Sequence, residues 1–108
     1  MYYERRASTR HKIFDNVEAV IFYGELQIRA RIADISDDGL RVVVNDSATH
    51  PLPHSLKVGS HIELAVKADD RVIECEVRRI GEGGELGLRY FDGVSSLRRK
   101  ALMKKIAS

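Results

Sequence analysis

A chain of 108 residues, 44% hydrophobic and 31% charged, is sized for one domain with a single core. Its net charge of +2 conceals a basic stretch at each end: Arg5, Arg6, Arg10 and Lys12 stand against Glu4, and Arg98, Arg99, Lys100, Lys104 and Lys105 close the chain. The body between holds more acids than bases, which excludes a surface built to coat a nucleic-acid polymer and points to an arm that meets a small anion or the acidic body itself.

The first residues, MYYERRASTRHK, lack the apolar segment of a leader, and no uncharged run approaches the roughly 18 residues of a membrane span. Cys75 is the single cysteine, so no internal disulfide can form, and a small core hydrophobe is its simplest role. These features predict a cytoplasmic protein without membrane insertion. Residues 1–12 read as a flexible arginine-rich arm, and a barrel is expected over residues 13–92.

Residues 17–23 are rich in β-branched and aromatic residues and end at the turn signal YGEL. Leu26, Ile28, Ala30 and Ile32 then alternate with Gln27, Arg29 and Arg31, the period-two pattern of a strand with one buried face. After DISDDG comes a third strand over residues 40–44, then a long loop, 45–59, with both prolines of the chain. Ile62, Leu64 and Val66 alternate with polar neighbours, as do Ile73, Cys75 and Val77, and residues 86–91 form the sixth segment. The short separators KADDRV and GEGGEL, like YGEL, predict antiparallel hairpins. Six mostly antiparallel strands in so short a chain are best protected by closure into a small β-barrel. In VSSLRRKALMKKIAS the pattern changes to a C-terminal α-helix over residues 94–107. Ser95 or Ser96 caps it, its apolar arc is Val94, Leu97, Ala101, Leu102 and Ile106 with Arg98 and Lys105 intruding, and its basic residues read as a solvated face.

Nothing in this pattern is an enzyme. His11, His50, His54 and His61 belong to no catalytic signature, and Pro51 and Pro53 in HPLPH prevent the helix that would bring two imidazoles together on a metal. No cofactor is expected.

The arm and the DISDDG turn have chemistry suited to a guanine nucleotide. The planar fork of arginine bonds the O6 and N7 of guanine or two phosphate oxygens, and its face stacks on a purine, roles open to Arg6 and Arg10. Asp34 offers a carboxylate to the N1–H and exocyclic amine of guanine, Ser36 a hydroxyl, and Gly39 a backbone free to turn through positive φ and approach a ligand. Taken singly, DISDDG is an ordinary turn and ERRASTR a basic tail.

Together, Arg6-Ala-Ser-Thr-Arg10 as RxxxR and Asp34-Ile-Ser36-Asp-Asp-Gly39 as DxSxxG resemble the signature of the PilZ domain family, whose members are bacterial receptors for cyclic di-GMP. The resemblance spans nearly the whole chain, including GLRYFDGVSSLRR. It implies a six-stranded antiparallel barrel with a helix alongside, a grip on guanine and phosphate by Arg6 and Arg10, and a hold on the guanine edge by Asp34 and Ser36 with Gly39 shaping the turn. An arginine at the position of Arg5 implies two intercalated ligand molecules. Arg78 and Arg79 are candidates for the pocket wall, or else solvated residues at a strand end. The implied action is a signal: the ligand orders the arm and alters the surface offered to an unidentified downstream protein. The alternative is an interaction module of the same fold that works without nucleotide.

Overall fold

The computed structural model describes residues 11–13, 17–45, 52–67, 69 and 71–107; Arg5, Arg6 and Arg10 lie outside them. Among the described residues seven strands form: β1 His11–Lys12, β2 Glu18–Tyr23, β3 Leu26–Ile35, β4 Gly39–Val44, β5 His61–Val66, β6 Val72–Ile80 and β7 Glu85–Tyr90, followed by helix α1, Ser96–Ala107. Every pairing is antiparallel, and β3, β2, β5, β6, β7 and β4 close on themselves through a β3–β4 pairing, so six strands make the barrel. Closure leaves none of these six as an open edge. All three expected hairpins are present.

The alternating residues fill the interior except Leu26, which stands at the hairpin end of β3 and is exposed. Ile21, Ile32, Leu40, Val42, Leu64, Cys75, Val77 and Leu86 are fully buried, and a tyrosine, Tyr90, is buried among them. Each aliphatic side chain of this kind contributes about 1.5–3 kcal/mol on leaving water. Burial pushes the Cys75 thiol up to about 12, so it stays protonated as an inert part of the core. The 45–59 segment, expected as loop, contributes Leu56 to this core and has no strand among its described residues.

Strand β1 was not foreseen, because two polar residues carry no periodicity. It pairs His11 with Ile35 and Lys12 with Asp34, and Ile13 N–H donates to Ala33 O at 2.9 Å. The chain thus already lies in the sheet at the last residues of the expected arm.

The helix corrects a second expectation. Ser95 caps it, its Oγ accepting from the Arg98 N–H at 3.1 Å. Leu102 and Ile106 are buried, but Leu97 is 79% exposed and Ala101 is also exposed. The helix is rotated from the predicted arc because Arg98 and Arg99 both have partners beneath them. Arg98 Nη1 donates to Asp69 Oδ2 at 2.5 Å, with Lys105 Nζ 3.5 Å from the other oxygen. Arg99 Nε donates to Val94 O at 3.1 Å, and its guanidinium stands 5.4 Å from the centre of the Tyr90 ring. The helix's basic residues are therefore not all solvated, although Lys100, Lys104 and Lys105 are exposed. Burial alone would raise the Asp69 carboxyl's pKa, but the hydrogen bond from Arg98 and the charges of Arg98 and Lys105 outweigh it and hold it below the usual value.

Candidate ligand-binding site

Two β-bulges build the site. In β3, Ala30 and Ile32 face the interior, so strict alternation would turn Asp34 inward as well. The register slips by one residue between Ile32, opposite Val42, and Asp34, opposite Arg41. Ile35 takes the next interior position, fully buried opposite Leu40, and Asp34 turns to the face of Arg41, which covers it so that its side chain is only 7% exposed. A second slip, between Val77 opposite Leu88 and Arg79 opposite Gly87, does the same in β6. Arg79 therefore leaves the interior row of Ile73, Cys75 and Val77.

The consequence is one lateral row across four strands. Asp34 is opposite Arg41, Arg41 opposite Gly87, and Gly87 opposite Arg79. Arg41 Nε donates to Asp34 Oδ2 at 2.7 Å and Nη1 to Glu85 Oε2 at 2.5 Å. Arg79 Nη2 completes the chain by donating to Glu85 Oε1 at 2.8 Å. Gly87 makes this possible: a Cβ there would stand 3.3 Å from that of Arg79, in the space that the long side chains cross. The hydrogen bonds from Arg41 to Asp34 and then to Glu85 raise its pKa further, and it remains a cation throughout.

The turn after β3 is closed by its own polar groups. Ser36 N–H donates to Gly39 O at 2.9 Å, and the Ser36 hydroxyl donates to Asp38 Oδ1 at 2.7 Å, with Gly39 O 3.3 Å away. Ser36 is buried. Gly39 departs from expectation in conformation: it opens β4 and is not among the positive-φ glycines. Its requirement is close approach, since a Cβ would lie 1.9 Å from the Leu88 carbonyl oxygen and force β4 away from β7. The partner it approaches is a neighbouring strand.

Beside this turn lies an open hollow of about 230 Å³ lined by Asp38, Gly39, Arg78, Arg79, Gly87, Leu88 and Arg89. Arg78 and Arg79, expected as wall or as solvated strand-end residues, face the same hollow as Gly39. Asp34 joins them through Arg41 and Glu85. Sequence reading did not single out Arg41, Glu85, Asp38 or Arg89. Alternation marks them as outward-facing, but only register tells which of many outward charges meet. On the other side of β3, β1 sets His11 against Ile35, so the residue following RxxxR pairs within DxSxxG.

The sequence profile of the PilZ domain matches residues 4–107. The chain belongs to the PilZ domain family. No curated protein gave a sequence match. Among solved structures, the fold is similar to "PilZ domain with c-di-GMP of YcgR from Escherichia coli", with a TM-score of 0.70 at 18% identity over 95% of this chain and 89% of that one. It is also similar to the Bacillus subtilis inhibitor of motility MotI/DgrA, with a TM-score of 0.64 at 23% identity over 94% of this chain and 49% of that one.

Proposed function

We propose that this PilZ domain is a cytoplasmic receptor for cyclic di-GMP. The observation that supports the reading is the pairing of β1 with DxSxxG: His11, the residue after Arg10, is opposite Ile35, and Gly39 of the same motif borders a hollow faced by Arg78, Arg79 and Arg89. An anion entering there meets three guanidinium groups, and a guanine edge meets the Asp34 carboxylate on the adjoining row. The E. coli YcgR domain, whose structure is with c-di-GMP, has the same fold.

In this reading Arg6 and Arg10 grip guanine and phosphate, Asp34 and Ser36 hold the guanine edge, and Gly39 keeps the turn against β7. Arg5 supports a second, intercalated ligand molecule. Arg78 and Arg79 form the wall. Ligand draws the arm, residues 1–12, onto the barrel and so changes the surface presented to a downstream protein, without any reaction on the ligand.

Isothermal titration with cyclic di-GMP, beside GTP and cyclic di-AMP, tests this directly. The expected result is selective binding that Arg6→Ala or Arg10→Ala weakens roughly ten- to a hundredfold, since each charge-assisted bond contributes roughly 1.5–3 kcal/mol. Two ligands per chain would assign Arg5 its role. Absence of heat with high-micromolar cyclic di-GMP would reject the receptor reading and favour nucleotide-independent docking of a protein.

A further inference from the structure

Arg79, which lines the hollow, already has an anion beside it. Glu85 presents one carboxylate oxygen to Arg79, and its other oxygen meets Arg41. A carboxylate accepting from two guanidinium groups occupies the hydrogen-bonding position that a phosphodiester would claim. The two contacts differ in depth: the Arg79 side chain is 70% exposed and that of Arg41 is 35% exposed. An exposed pair of this kind binds weakly and exchanges readily, whereas Arg41 is held from both sides by Asp34 and Glu85.

Resting on the receptor reading above, we infer that Glu85 is an internal competitor for the ligand's phosphate. It holds Arg79 in the unliganded protein and yields that guanidinium to the entering phosphodiester, while Arg41 keeps Asp34 and Glu85 in register. Arg41 is thus a positioning residue for the guanine edge, and Glu85 lowers affinity by occupying a cation the ligand needs. The device places the threshold for ligand on one side chain of the β6–β7 hairpin, away from both sequence motifs.

The test is titration of cyclic di-GMP into wild type, Glu85→Gln, Arg79→Ala, the double variant and Glu82→Gln. Gln at 85 preserves shape and can still accept from Arg41, but it has lost the charge that retains Arg79. Glu85→Gln is expected to bind roughly two- to fivefold tighter. The gain is expected to vanish in the Arg79→Ala background, where the double variant binds like Arg79→Ala alone. Glu82→Gln, which removes the same charge from the neighbouring turn, is expected to leave affinity unchanged. The inference is overturned if wild type binds but Glu85→Gln binds equally or more weakly. It is also overturned if Glu82→Gln gives the same gain, or if the gain survives without Arg79. Failure of wild type itself to bind overturns the receptor reading, and this inference with it.

Discussion

Beneath the helix, Arg98 meets Asp69 with side chains 18% and 1% exposed; on the outer sheet, Arg79 meets Glu85 with side chains 70% and 24% exposed. The chemistry is the same in both pairs, and depth separates their uses. The buried pair cannot exchange partners without stranding a charge in the core, so it fastens α1 to the β5–β6 connection. The outer pair can exchange its partner for another anion at little cost, so it suits a site. The barrel keeps these two ion pairs on different elements, so substitutions can address each one separately.

That separation can be broken by substitution. The largest effect is expected from Arg98→Ala, which leaves the buried Asp69 carboxylate to Lys105 and the Arg71 N–H and should cost about 3 kcal/mol of stability in denaturant unfolding. Next, Asp34→Ala should weaken cyclic di-GMP binding roughly ten- to a hundredfold by titration while the chain stays folded in a thermal melt. The reverse result, a folding loss from Asp34→Ala with unchanged affinity, would assign the outer row a structural role.

The pH dependence sharpens the comparison further. Asp69 has a folded pKa below its unfolded value of about 3.9, so its contribution is complete above about pH 4 and is lost as pH falls through the lower folded value. The stability gap between wild type and Asp69→Asn, measured by unfolding at a series of pH values, should therefore be constant at neutral pH and narrow below about pH 4. The smallest effect should come from Leu97→Ala. Lying on the exposed side of α1 despite its place in the predicted apolar arc, Leu97 should contribute less than about 0.5 kcal/mol.

The strands were legible because an inward face imposes period two, and Ile28 to Ile32, Ile62 to Val66 and Ile73 to Val77 obey it, whereas Leu26, in the same row at the hairpin end of β3, is 49% exposed. The helix was legible in its extent but not in its rotation. Amphipathic periodicity treats Arg98 as an intruder, and nothing local says that Asp69, distant in the chain, lies buried beneath it. Strand β1 was hidden because His11 and Lys12 belong to the sheet through backbone pairing with Asp34 and Ile35, which leaves no trace in side-chain pattern.

The sequence by itself determined that this chain closes into a β-barrel with a helix, and that Arg6, Arg10, Asp34, Ser36 and Gly39 form the order of residues that resembles PilZ domains. Only the tertiary structure decided where Asp34 and Arg79 point. Continued alternation would set each on the interior face, and in each strand one inserted residue reverses that direction. The reversal also decided that Arg41 and Glu85 stand between them, joined across the gap at Gly87. A bulge is a property of two strands and their mismatch in length, so it cannot be read from either strand alone.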